Sequence, residues 1–252
     1  MALLQGKVGI ITASGSGIGR TSALVCAEEG AKIVVSDVVD EAGEETVRLI
    51  KEAGGDAIYI RCNVADAADV KNLVDKTMKH FGRLDFAHNN AGIGAPNVPL
   101  AEVEVEDYQR VMSITLEGTF LCMKYEIPAM LKSGGGSIVN TSSSSGLVGT
   151  PLQSAYSAAK FGVNGLMKTA ALEYGSQGIR VNSICPGMTM TPAVEKWMKE
   201  APEEAEALKN NVPMQRLGTT EDQANAVAWL CSDKASYVNG VTLSVDGGLL
   251  AQ

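Results

Sequence analysis

The sequence predicts a single α/β domain: a seven-stranded parallel sheet with helices on both faces. Three observations carry that prediction. Short β-branched runs alternate with helical periods along the whole chain, a Gly/Ser-rich turn leaves the first run and opens the first helix, and an acid closes the second run. Alternation of this kind implies parallel strands joined by right-handed crossovers.

Residues 8–12 are short, apolar and β-branched, as a strand buried on both faces should be. A helical period over 17–29 follows, with Gly30 as its C-terminal stop. Strand-like runs at 31–37, 57–62, 84–88, 137–141, 179–185 and 241–245 complete the set of seven. Helical patterns at 41–53, 67–81, 104–131, 154–174 and 222–231 fall between them, with Gly54-Gly55 and Gly134-Gly135-Gly136 as stops. Residues 188–216 are different. They are rich in Met, Pro and Glu, lack strand character, and are expected to form a helical lid over a substrate. Glu195, Glu200, Glu203, Glu204 and Glu206 are expected on its solvated face. No repeat, low-complexity tract or linker divides the chain, so 1–252 reads as one domain.

Composition narrows the function classes. A net charge of −8 argues against a nucleic-acid footprint, which needs a basic face. No run reaches the roughly 18 apolar residues of a membrane span. The N-terminal residues run into the first strand without the charged start and apolar stretch of a signal peptide. The 5 cysteines are odd in number and scattered, with no Cys-x-x-Cys pair. Disulfides and metal are therefore not expected, and a reducing cytoplasm is.

The turn is Thr12-Ala13-Ser14-Gly15-Ser16-Gly17-Ile18-Gly19. Glycines here let backbone approach a pyrophosphate, and the helix that follows offers amides and a positive dipole end. Asp37 ends the second strand, where a carboxylate accepts from ribose hydroxyls and repels a 2′-phosphate. Val38 follows it, and neither that position nor Ser16 offers a cation for such a phosphate. Ser14, Ser16, Gly17, Ile18, Asp37 and Val38 are the cofactor candidates of this half, and NAD is expected over NADP.

Tyr156 and Lys160 stand four residues apart, on one face of the helix predicted over 154–174. A free phenol has a pKa of about 10, and a neighbouring ammonium favours its phenolate. Alone, the spacing is also that of an ordinary surface pair.

Together these motifs resemble the short-chain dehydrogenase/reductase family over 7–248. The matching elements, in order, are the Gly-rich turn, Asn89-Asn90-Ala91-Gly92, the serines 142–145, Tyr156-x-x-x-Lys160, Pro186-Gly187 and Asp246-Gly247-Gly248. The resemblance implies a Rossmann-type fold and hydride transfer between a nicotinamide dinucleotide and a secondary alcohol or ketone. It implies Tyr156 as acid/base, Lys160 as the residue that tunes it and binds the nicotinamide ribose, and Ser143 as the holder of the substrate oxygen. Asn90, Ala91 and Gly92 resemble the loop beside the adenosine ribose. Pro186, Gly187 and Thr189 resemble the loop against the nicotinamide, and Thr191 is placed for the cofactor phosphates. Small-molecule substrates and a homotetramer, or a homodimer, are also implied.

Three positions depart from the family pattern. Ala13 replaces the usual first glycine of the turn, where a positive φ costs an alanine more than a glycine. Asn63, before Val64, replaces an acid that usually contacts the adenine amino group. Thr115 replaces an asparagine that holds a water linking the lysine to solvent. Thr115 is expected to keep that relay working. For substrate, Ser145, Met188 and Trp197 are the candidates, and the apolar, sulfur-rich lid suits a hydroxysteroid or a cyclic alcohol. Two other readings stand beside this one: a 3-oxoacyl-thioester reductase of the same family, and a catalytically weak dinucleotide sensor or scaffold.

Overall fold

The computed structural model describes residues 2–251. Seven parallel strands form one sheet: β1 (Val8–Thr12), β2 (Lys32–Ser36), β3 (Asp56–Tyr59), β4 (Phe86–Asn89), β5 (Gly136–Thr141), β6 (Ile179–Pro186) and β7 (Thr242–Val245). Their order is β3-β2-β1-β4-β5-β6-β7, so the direction of winding reverses between β1 and β4. Alternating side chains serve opposite faces. Ile10, Val34 and Ile138 join one core; Ile11, Ile33, Val35 and Val139 join the other. Both faces are therefore apolar, as the β-branched runs require.

The helices are α1 (Gly17–Glu28), α2 (Asp40–Glu52), α3 (Ala67–Phe81), α4 (Val105–Val111), α5 (Gly118–Lys132), α6 (Ser154–Tyr174), α7 (Pro192–Glu200), α8 (Pro202–Asn210) and α9 (Thr220–Cys231). Their ends follow from local chemistry. Asp66 caps α3 by accepting from Ala68 N and Asp69 N, and Gly82 closes it at φ 78°. Thr219 and Asp222 form a reciprocal capping box on α9.

The helix expected over 104–131 is not continuous. A π-helical turn, Met112–Glu117, separates α4 from α5, and Thr115 sits inside it. Such turns displace one backbone carbonyl from the regular ladder. Here Thr119 Oγ1 donates to Thr115 O at 2.8 Å. Residues 188–216 fold as α7 and α8. Glu195, Glu200, Glu203 and Glu206 are exposed there, while the Glu204 side chain lies outside the described residues. No helix among the described residues is long and apolar enough to cross a membrane.

One acid lies in the core. Glu126 of α5 is 1 % exposed and accepts from Asn89 Nδ2 at 3.0 Å. Burial pushes its carboxyl up to about 7, against the Asn89 hydrogen bond. From about pH 4.5 to about 7 the folded chain holds this proton and the unfolded chain does not, so stability falls as pH rises. Glu126→Gln removes the titration, and the variant's stability relative to wild type is expected to rise across that window by on the order of 3 kcal/mol. Urea unfolding at pH 5 and pH 8 (about these values) checks it; a constant difference would disprove the assignment.

Candidate active site

The strand order reverses between β1 and β4, and the carboxyl ends of those strands open the crevice where ligands bind in such sheets. The turn after β1 has the backbone that the glycines predict, at a cost. Ala13 takes φ 48° and Gly17 φ 52°. A Cβ on Gly19 would lie 2.2 Å from Ala13 O, so only glycine fits there. Ser16, the N-cap of α1, makes no side-chain cap and leaves the first-turn amides to a ligand. Ser16 is exposed, and Gly17 and Ile18 are half-buried. Ser14 is wholly buried: its hydroxyl donates to Ile11 O at 2.7 Å and accepts from Ser36 N at 2.9 Å, binding the turn to β2.

Asp37 stands at the end of β2. Its carboxylate accepts from Gly15 N at 2.8 Å and Val39 N at 3.0 Å, which aims it along the turn. Val38 beside it is 49 % exposed. Asn63 is exposed, and its amide oxygen accepts from Ala65 N at 3.1 Å. Val64 is buried against Gly118, so it packs α5 rather than facing the crevice. Thr12 shapes the loop after β4. Its hydroxyl accepts from Asn90 N at 3.0 Å and Ala91 N at 3.1 Å.

Ser143 follows β5 and Tyr156 opens the second turn of α6. The two side chains are hydrogen-bonded, which pulls the phenol down, but burial is the larger effect and raises its pKa above the usual value. This corrects the sequence expectation: in the protein alone, the phenol is not lowered by its lysine. Lys160 Nζ lies 5.5 Å from the Tyr156 ring centroid and donates to Thr141 O at 2.6 Å. Burial draws Lys160 down to about 8. Beneath it, His88 Nε2 meets Thr141 Oγ1 at 2.8 Å, and burial, then Lys160, push that imidazole down to about 3. His88 is thus neutral and adds no charge under Lys160. Because Thr141 Oγ1 donates onward to Asn90 Oδ1 at 3.2 Å, the shared proton at His88 belongs on Nε2.

Thr115 is wholly buried, and its hydroxyl accepts from Ile93 N at 3.1 Å. A Cβ on Gly92 would stand 3.2 Å from Lys160 Nζ and 3.4 Å from Thr115 Oγ1. Gly92 therefore separates the two polar groups, and they make no direct bond.

A family model described as enoyl-(acyl carrier protein) reductase matches residues 12–250. The chain belongs to the short-chain dehydrogenase/reductase family. It is 45% identical over 252 residues to a 2,5-dichloro-2,5-cyclohexadiene-1,4-diol dehydrogenase of Sphingobium indicum, covering 100% of both chains. It is 45% identical over 241 residues to a cyclohexanol dehydrogenase of an Acinetobacter species, covering 96% of this chain and 94% of that one. The crystal structure of levodione reductase matches with a TM-score of 0.94 at 39% identity, covering 98% and 99% of the two chains.

Short-chain dehydrogenases/reductases use nicotinamide dinucleotides, and this chain's residues fit such a group. The uncapped α1 amides, the Gly19 close approach and the Asp37 carboxylate form a cradle along one side of the crevice. On the other side, Pro186 ends β6, and Gly187 packs so closely on Asp246 that a Cβ would lie 3.0 Å from its Cα. Thr191 caps α7 by accepting from Val194 N at 3.3 Å, and its methyl would touch a Cβ on Gly17 at 3.4 Å. The turn after β1 and the segment after β6 thus meet over the crevice. Thr189 pairs with Gly218 in a short parallel bridge: Met190 N donates to Gly218 O at 2.8 Å, and Gly218 N to Met188 O at 3.0 Å. Ser145 accepts from Thr150 Oγ1 at 2.8 Å. Met188 and Trp197 are both half-buried.

Thr12, Thr141, His88 and Gln223 are parts of this short-chain dehydrogenase's site that motif reasoning misses. Thr12 was legible in principle, as a hydroxyl residue at the end of the first strand. Thr141 acts through its carbonyl, which carries no side-chain signal.

Proposed function

We propose that this oxidoreductase moves a hydride between NAD and a cyclic secondary alcohol, and reduces the matching ketone in reverse. The observation that carries this is the convergence of Ser143, Tyr156 and Lys160 beside the dinucleotide cradle. The names of the two 45%-identical relatives, both dehydrogenases of cyclic alcohols, support the substrate class. The half-buried Met188 and Trp197, with Ser145, would form an apolar wall with one hydroxyl. Residues 188–216 would act as the lid over it.

Bound NAD supplies the hydride acceptor. Tyr156 takes the substrate hydroxyl proton, and Ser143 holds the substrate oxygen as charge develops on it. Lys160 as ammonium favours the phenolate and binds the nicotinamide ribose. Ser16, Gly17, Ile18 and Thr191 hold the phosphates. Asp37 and Val38 meet the adenosine ribose, Asn63 the adenine, and Asn90, Ala91 and Gly92 the adjoining sugar edge. Pro186, Gly187 and Thr189 form the nicotinamide wall. Thr115 holds a water across Gly92 through which Lys160 exchanges its proton; Thr115→Val with unchanged turnover at every pH would remove this role. The Asp37 charge, aimed by Gly15 N and Val39 N, favours NAD over NADP.

The side chains of Tyr108, Phe120, Phe161 and Leu172 are exposed on α4, α5 and α6, with Leu172 at 87 %. That apolar face supports a homodimer as the unit of a homotetramer. Light scattering that returned a monomer would sink this part.

The test is the absorbance of reduced dinucleotide with cyclohexanol-type and open-chain secondary alcohols, using both cofactors. Cyclic alcohols with NAD are expected to give the highest kcat/KM, with NADP at least about 10-fold poorer. No turnover of any cyclic alcohol defeats the reading, and parity of the cofactors defeats its NAD part.

A further inference from the structure

Gln223 of α9 is wholly buried, and its amide faces two groups at once. Nε2 donates to Val245 O at the end of β7 at 2.9 Å, and to Thr189 Oγ1 at 3.2 Å. Its Oε1 is buried with no partner among the described residues. A side chain that merely filled this space would be better apolar, because an orphaned buried oxygen is a cost.

Chemistry fixes which way the amide points. A main-chain carbonyl only accepts, so the NH2 must lie against Val245 O. Both of its hydrogens are then committed, one to Val245 and one to Thr189. The Thr189 hydroxyl, already receiving an N–H, donates its own hydrogen to Gly187 O at 3.1 Å. A hydroxyl has one hydrogen and two lone pairs. Thr189 therefore offers one lone pair, and no hydrogen, to whatever enters the site.

We infer that Gln223 is a positioning residue that locks Thr189 Oγ1 as an acceptor. The site thereby selects a pyridine dinucleotide whose ring substituent carries an N–H donor. This rests on the proposed reading that Thr189 faces the nicotinamide. The bridge between Thr189 and Gly218 holds the backbone of the same residue, so neither the hydroxyl nor its carrier is free to turn.

Equilibrium binding to the full chain, measured by calorimetry, tests it with three probes. NAD and thionicotinamide adenine dinucleotide keep the NH2 donor; 3-acetylpyridine adenine dinucleotide has a methyl ketone instead. Wild type is expected to bind the two donors about 5- to 10-fold tighter than the ketone, the worth of one neutral hydrogen bond. Gln223→Met frees the Thr189 hydroxyl to rotate and donate, and the ratio is expected to fall towards one. Thr189→Val should do the same, and Thr189→Ser should restore the wild-type ratio. A wild-type ratio near one, or an unchanged ratio in Gln223→Met, overturns the inference. If Gln223→Met does not fold, an unchanged ratio in Thr189→Val overturns it. A wild-type chain that binds none of the probes overturns the functional reading beneath it.

Discussion

Tyr156→Phe is expected to lower turnover of cyclic secondary alcohols by about 10²- to 10⁴-fold, the range for losing a positioned acid/base. NAD affinity should stay within about twofold, because the ring and its packing remain. The hydroxyl's partner is Ser143, whose oxygen also accepts from Ser145 N at 3.1 Å and so stays in place without it. The cradle after β1 is built from other residues. Steady-state rates with calorimetric NAD binding separate the two effects. Surviving turnover would mean that some other group moves the proton.

Lys160→Met should be almost as damaging, for two reasons that differ in their pH dependence. Below about 8 Lys160 holds its proton, and its charge favours the Tyr156 phenolate; above that value the help fades. The wild-type rate should therefore show a limb near pH 8 that is missing in the variant. The second loss is independent of pH. Thr141 O is left without its donor, at a cost of about 1–3 kcal/mol, and the NAD KM rises as the ribose contact goes. We expect kcat/KM to drop by about 10²-fold or more. A variant that kept a tenth of the activity, or kept the limb, would place the tuning group elsewhere.

The parts of this molecule legible in the sequence are those where side-chain identity and spacing carry the information. Val8–Thr12 and Ala67–Phe81 fall where their apolar and capping patterns put them. The sheet order follows from alternation and handedness. Residues 188–216 were legible as something other than strand, but the bridge that closes their base was not, since it uses only the backbone of Thr189, Met190, Met188 and Gly218. The π-helical turn at Met112–Glu117 was missed for the same reason: its residues have the period of an ordinary helix, and tertiary contact decides the extra residue in the turn. The direction of the Tyr156 shift was missed because spacing shows a neighbour's charge and hides desolvation. Lys160 reaches a carbonyl, not the phenol, and a carbonyl has no residue name.

The bridge at the base of residues 190–217 has a further consequence. Met190 N and Gly218 O meet at 2.8 Å, so the intervening chain leaves and rejoins the body at a single neck. Its ends are already together, and lengthening such a loop costs only about 0.6 kcal/mol per doubling. Everything beyond the neck is a cassette: α7 and α8 can be exchanged for another specificity element while the sheet, the dinucleotide cradle and the proton-transfer residues stay as they are.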